Sequence, residues 1–515
     1  MRPAESGAHG AARHHDWTLG LGLLVVGVVY VVSLPHVLGG SDEGIYLYEA
    51  KRLLDGGVFY RDIFDLITPG AHYLMAAVFA VFGATMETAR LADAVIHGLV
   101  VLGTYATCRM LAVRRVLAAA AALTQLAVFQ PAWPVASPHW LATLLGLLII
   151  PALLGRPRGL LGLVAGVLAG LLICVQQQKG VAMTAGAAAF LLTERVLPSP
   201  TRGTTHPWRI PAFGAGIVLV VVPLGILLVL SAGVRPVVQA LVLHPLLNYP
   251  RLNRTSWGSV GPFPWYARYT FPTALAAAPI VLSAIAAVRA GLQLVRREDG
   301  ERLRRSVLLG LMAFASIASI LYYPDYVHLS FIGAVFAIVA ADLAEVALGA
   351  LPSRSRFARW MVTLVPVVLL AATGAQLTRV MIGSWRDFPF SHLTPFGRME
   401  FHEQHEIDVV ERMRTVIDRS ASRELFVYPF GAGFYLLTGT VNPTPFQFLL
   451  PAYSRPDQID LTLTILEERQ VPYVLVVSPM TPSDPVLRYV SSHFEQVEDQ
   501  HGKLPLFRRV HGAGE

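Results

Sequence analysis

Charge is scarce in this sequence: only 15% of its 515 residues are Asp, Glu, Lys or Arg, against about 25% in an average soluble domain. With 54% hydrophobic residues and a mean hydropathy of +0.53, that scarcity excludes an ordinary water-soluble globular protein. Cysteine is scarcer still. The two present, Cys108 and Cys174, lie inside apolar runs, so no disulfide framework is available. No Gly-rich phosphate loop occurs after Gly383, which leaves no ground for a nucleotide site there. No small-x-small cleavage site follows the first apolar run, residues 17–38, which therefore reads as a retained anchor and not a cleaved signal peptide.

The net charge of +7 does not point to nucleic acid, because the bases are dispersed in short clusters between apolar runs. Runs long enough to cross about 30 Å of hydrocarbon fall at residues 17–38, 88–111, 116–132, 139–154, 159–175, 180–197, 210–232, 269–291, 306–323, 328–350 and 358–382. They predict a polytopic α-helical membrane protein with about 11 transmembrane helices. The shorter run at 69–83 reads as a re-entrant or interface-lying helix, since a crossing there would put Arg109, Arg114 and Arg115 on the outer side. With the N-terminus cytoplasmic, Arg114-Arg115, Arg296-Arg297 and Arg304-Arg305 all fall on the cytoplasmic side of the plasma (inner) membrane. The same rule puts the loops 39–68 and 233–268, and everything after about Gly383, outside the cytoplasm.

Residues 1–16 thus form a cytoplasmic tail, 17–383 a membrane domain and 384–515 a small extracytoplasmic α/β domain. In the last of these, 401–419, 457–469 and 484–494 read as helices. Residues 424–429, 472–478, 495–498 and 504–509 read as strands.

The acids that do occur are concentrated. Asp42, Glu43, Glu49, Asp55, Asp62 and Asp65 lie in one outer loop directly behind the first apolar run. Within it, Tyr46, Ala50, Leu53 and Leu54 recur at helical spacing and Gly56-Gly57 supplies a stop, predicting a short amphipathic helix on the membrane surface. Asp42 and Glu43 fall at its N-terminus, where unpaired N–H groups and the helix dipole favour a carboxylate. Such a group accepts a proton from a hydroxyl nucleophile; from local sequence alone it equally serves as a helix cap.

Other outer loops offer cations and polar groups. Gln176-Gln177-Gln178-Lys179 interrupts two apolar runs, where a lysine is costly unless paired or exposed. His244, Arg251 and Arg254 share a long loop with Trp257 and Trp265, residues that also fit an interfacial belt. Asp325 and His328 stand in a tight turn, with helix capping as the alternative to a binding role. One base and several cations suit attack by a hydroxyl on a sugar carbon whose leaving group is a lipid-linked phosphate, because that leaving group needs charge compensation more than an acid.

The Asp42-Glu43 pair behind the first span, Tyr60-Arg61-Asp62, and Thr68-Pro69-Gly70 leading into a segment that ends Phe82-Gly83 resemble the GT-C superfamily of membrane glycosyltransferases. The nearest likeness is to the family 39-like branch of protein O-mannosyltransferases, aminoarabinose transferases and rhizobial core-sugar transferases. The resemblance implies a GT-C-like fold and an inverting transfer from a polyprenyl-phosphate sugar donor to a glycan, lipid or protein hydroxyl at the outer face. It implies Asp42 and Glu43 as the catalytic pair, Asp42 acting as base, with Glu43 or Asp62 orienting the acceptor or a divalent metal ion. It implies Lys179, Arg251, Arg254 and His328 as compensating the donor phosphate, with Asp65, His244 and Asp325 as further substrate-binding residues. One departure stands out: relatives often carry an acid in the outer loop after the third span, whereas residues 131–140 here hold His139 as the only titratable side chain. A lipid-linked-sugar flippase or secondary transporter is the alternative reading, for which Asp93 and His97 are the mid-span candidates.

Overall fold

In the computed structural model, the described residues are 5–38, 40–155, 159–196, 207–248, 255–260, 266–298, 300–352, 355–450, 453–478, 481, 483–497 and 504–510. Arg251, Arg254 and Trp265 lie outside them.

Long apolar runs interrupted by glycine, proline and arginine leave the backbone one way to satisfy its N–H and C=O groups, and each run expected to span is helical. The helices are α1 (Glu5–Val32), α2 (Gly40–Leu54), α3 (Gly70–Phe82), α4 (Met86–Met110), α5 (Arg115–Thr124), α6 (Pro138–Leu154), α7 (Gly159–Val175), α8 (Gln177–Thr193) and α9 (Arg209–Ala232). They continue as α10 (Val234–Leu247), α11 (Pro272–Val295), α12 (Gly300–Ala318), the one-turn α13 (Tyr326–Ser330), α14 (Gly333–Gly349) and α15 (Arg356–Asp387). Among the described residues, α4, α9, α11 and α15 are long and apolar enough to cross a bilayer by length and composition; the others are shorter or carry more polar residues. The outward faces of α9, α11 and α15 expose Leu219, Leu230, Val281, Val288, Val367 and Val368, a surface that suits lipid and not water. The chain is an integral membrane protein.

Side chains set the helix starts. Thr85 caps α4, Ser137 caps α6 ahead of Pro138, and Asp325 caps α13. Helix α7 packs on α9 through glycines four residues apart. A Cβ on Gly162 would meet the Arg209 carbonyl at 2.4 Å, and one on Gly166 would meet that of Phe213 at 2.0 Å. Such small-residue stripes let two backbones touch where lipid supplies no hydrophobic drive.

Beyond α15 come the hairpin β1 (Phe390–Thr394) and β2 (Gly397–Phe401), then α16 (Gln404–Ile417). Strand β3 (Leu425–Tyr428), α17 (Gly433–Thr438), α18 (Pro456–Glu468), β4 (Tyr473–Val476), α19 (Pro485–His493), β5 (Phe494–Gln496) and β6 (Leu506–Arg509) follow. The four-stranded sheet has the order β3-β4-β6-β5, with β3 and β4 parallel and the remaining pairs antiparallel. β3 and β4 are buried along their whole length, which is why LFVY and YVLV read as unbroken apolar runs. The helix expected at 401–419 starts at Gln404 instead, because Phe401 closes the hairpin.

This C-terminal region shares a core with the helical body. The Tyr48 ring stacks on Tyr435 at 4.6 Å, and the Tyr48 hydroxyl accepts the Asn442 N–H at 2.7 Å. Arg52 donates to the Thr444 carbonyl at 2.9 Å, and Gly44 abuts Gly433 so closely that a Cβ would come within 2.5 Å of its nitrogen. The region is therefore seated directly on α2.

Candidate active site

Helix α2 is not the surface-lying amphipathic helix its spacing predicts: Tyr46 to Ala50 are each at most 6% exposed, because the C-terminal region covers the face turned away from the helical body, and the helix ends where Gly56 adopts φ +94°. Asp42 and Glu43 both lie in its first turn. Adjacent helical residues point about 100° apart, and these two have different surroundings.

Glu43 points inward. Its side chain is 1% exposed; Oε1 takes Arg90 Nη1 at 2.5 Å and the Ala136 N–H at 2.7 Å, while Oε2 takes Arg90 Nη2 at 3.2 Å. The same guanidinium donates to the Val37 carbonyl. Glu43 thereby ties α2 to α4 and to the 131–137 loop. Both oxygens of its carboxylate are engaged by protein donors.

Asp42 is exposed, and it sits within electrostatic reach of His328 and Asp325. Desolvation by the surrounding protein pushes its carboxyl above the usual range; the Asp325 charge adds to that and His328 opposes it. That direction is opposite to the one a helix N-terminus alone would give.

Asp325 has two tasks. Its Oδ1 accepts the His328 N–H at 2.8 Å, capping α13, and lies 2.7 Å from Nδ1 of the His328 ring. The carboxylate fixes the imidazole as it fixes the helix start. Around His328 stand Tyr323 at 5.1 Å and Tyr322 at 5.5 Å, with His139 edge-on at 5.1 Å. His139 stacks on Phe331 at 4.4 Å, and its Nδ1 lies 3.0 Å from the Gln176 amide, which also donates to the Tyr322 hydroxyl at 3.0 Å. Beneath this layer Lys179 is 4% exposed and donates to the Phe331 carbonyl at 3.0 Å and the Thr143 hydroxyl at 3.1 Å. A line of polar side chains thus runs from Asp325 through His328 and His139 to Gln176, with Lys179 beneath it, and Asp42 feels the charges at its outer end.

The remaining expected residues are elsewhere. Asp62 pairs with Arg61 at 2.8 Å, which holds its carboxyl below the usual range, and it lines a cleft of about 530 Å³ with Lys51, Arg52, Asp55 and Arg469. Asp65 faces Glu49 and His72. His244 is buried between the rings of Phe64 at 5.6 Å and Tyr453 at 5.8 Å. Two participants are not among the site residues expected from the sequence. His139 carried a signal, as the sole titratable residue of its loop. Arg90 carried none, since one arginine near a helix end reads as an interfacial anchor.

No known sequence family and no curated protein matches the chain. Solved structures do. ArnT from Cupriavidus metallidurans, crystallised bound to undecaprenyl phosphate, is 14% identical with a TM-score of 0.60 over 97% of this chain and 99% of that one. Arabinofuranosyltransferase AftD from Mycobacteria is also 14% identical, with a TM-score of 0.46 over 96% of this chain and 40% of that one. The likeness to ArnT over nearly the full length of both chains shows the fold: this chain is folded as ArnT is.

Proposed function

We propose that this protein is an inverting glycosyltransferase that moves a sugar from a polyprenyl-phosphate donor to a hydroxyl acceptor at the outer face of the membrane. The observation that supports the reading is the Asp325–His328 pair, bonded at 2.7 Å and brought from far along the chain to within electrostatic reach of Asp42 at the start of α2, in a chain with the fold of ArnT. ArnT, whose fold the chain shares, was crystallised with undecaprenyl phosphate, which supports a polyprenyl phosphate as the lipid here.

In this reading Asp42 is the general base. It takes the proton of the acceptor hydroxyl as that oxygen bonds to the anomeric carbon; the bond from that carbon to the donor phosphate breaks, and the lipid phosphate leaves as an anion. A carboxyl whose pKa lies above the usual range is a stronger base than a free aspartate, provided the pH is above it. His328 and Lys179 supply positive charge and donors toward the phosphate, and Asp325 and His139 hold them in place. Glu43 acts by fixing the first turn of α2. Asp62, in its separate cleft beside Arg52 and Arg469, serves the acceptor, as do Arg251 and Arg254 the donor headgroup. The N-terminus is cytoplasmic, and residues 384–515 lie outside as a domain that covers α2.

A transport reading has one observation in its favour: Asp93 and His97 are buried in α4, 3.7 Å apart, with His97 3.1 Å from Gln125, where the helix turns π-helical. The two readings separate in proteoliposomes given a radiolabelled polyprenyl-phosphate sugar and a hydroxyl acceptor extract. Label appearing in acceptor with equimolar polyprenyl phosphate supports transfer. Counterflow of intact donor with no covalent product overturns it.

A further inference from the structure

A second group of buried polar side chains lies under α2 and takes no part in the chemistry proposed above. Glu49 sits two turns beyond Asp42 on α2, Asp65 in the loop before α3, and His72 in the first turn of α3. Glu49 is 0% exposed and His72 1%. His72 Nε2 lies 3.2 Å from Glu49 Oε2 and 3.8 Å from Asp65 Oδ2, and one donor atom from each of the three residues falls within 4.8 Å of the other two.

Three features distinguish this group from an ordinary buried polar contact. Among the described residues, neither oxygen of Glu49 accepts a hydrogen bond from an N–H donor, although both are fully buried; the acid beside it is Asp65. Asp65 Oδ1 takes the Leu66 N–H at 2.6 Å, which leaves Oδ2 turned toward His72. The imidazole is held in place by Tyr46 and Phe59, each with its ring centroid at 5.0 Å. Two buried carboxylates beside one imidazole, with no guanidinium or ammonium bonded to them, are unfavourable as they stand. A cation between them removes the penalty. Ligand atoms about 2.0–2.2 Å from a tetrahedral zinc ion stand roughly 3.3–3.6 Å apart, and the separations of 3.2 and 3.8 Å bracket that range.

We propose that Glu49, Asp65 and His72 bind one divalent transition-metal ion of the zinc class. One imidazole and two carboxylates form a donor set that such ions favour over calcium or magnesium. The ion ties α2, the 55–69 loop and α3 into one body, and so positions the helix whose first turn carries Asp42. The proposal does not depend on the transfer reaction.

The test uses the full-length protein purified in detergent with a non-histidine affinity tag. Elemental analysis is expected to find about one equivalent of zinc or a related metal per chain, falling at least about fivefold in His72→Ala and Glu49→Gln that still elute as monodisperse peaks. Because either variant could fail to fold, Co²⁺ is also added to metal-stripped wild-type protein. Visible d–d bands that saturate at one equivalent and are displaced by Zn²⁺ support the site. A wild-type chain that stays metal-poor after zinc reconstitution and shows no such bands overturns it, leaving a proton shared by Glu49 and Asp65. Equal metal content in the wild type and both folded variants also overturns it.

Discussion

Replacing Arg90 with alanine isolates what holds the first turn of α2. Arg90 and Glu43 are 3% and 1% exposed, and the pair is bidentate, at 2.5 and 3.2 Å. Removing the guanidinium takes the bidentate partner from a buried carboxylate to which the Ala136 N–H still donates. Breaking a buried pair from one side costs about 3–5 kcal/mol, roughly two to nearly four factors of ten in the folded-to-unfolded ratio. The same change frees the N-terminus of α2, so Asp42 loses its register with His328. Arg90→Ala should therefore lower the thermal midpoint in detergent and reduce transfer together. Glu43→Gln combined with Arg90→Met, which removes both charges, should recover most of the stability. If Arg90→Ala shifts the midpoint no more than a surface control such as Arg508→Ala, the pair does not hold α2 and the reasoning is refuted.

Other perturbations follow from the same contacts. Transfer should fail on acidification at a pH above that of an ordinary aspartate, since Asp42 must be ionised and its pKa is raised; Asp325→Asn should move this acid limb down and His328→Gln should move it up, as pH–rate profiles would show. Asp42→Asn should leave the protein at least as stable as wild type at neutral pH, because a carboxyl whose folded pKa is raised contributes stability below its unfolded pKa that is lost as pH rises through the folded one. Lys179→Met removes two charge-assisted hydrogen bonds worth about 1.5–3 kcal/mol each, and transfer should fall further than the thermal midpoint alone explains if Lys179 also serves the donor phosphate. Gly166→Leu drives a side chain into the Phe213 carbonyl and should cut the yield of monodisperse protein, with Gly214→Leu, where a Cβ meets nothing within 4 Å, as the tolerated control.

The helical body could be read from the sequence because long apolar runs have one solution in a membrane, and α2 because its apolar spacing and Gly56 stop are local signals. What could not be read was which way each acid turned. Asp42 and Glu43 are neighbours with the same terminus, and what separates them is Arg90, 47 residues on. Lys179 was singled out for its cost, but its acceptor, the Phe331 carbonyl, is 152 residues away and no spacing rule reaches it. The six acids looked like one feature. They divide into an inward ion pair at Glu43, an exposed Asp42, a buried trio with His72 and exposed pairs with Lys51 and Arg61, because packing by α3, α4 and the C-terminal region sorts them. The hairpin at 390–401 escaped notice because its turn depends on Gly397 at φ +93°, a conformation that sequence permits without announcing.

The most direct measurement is single-turnover transfer from a radiolabelled polyprenyl-phosphate sugar by purified wild-type and Asp42→Asn protein, with donor binding measured in parallel. Loss of a general base is worth about 10²–10⁴ in rate, so the variant should bind donor as the wild type does and transfer at least a hundredfold more slowly. Transfer within a fewfold of wild type would remove Asp42 from the chemistry, and with it the site built around it.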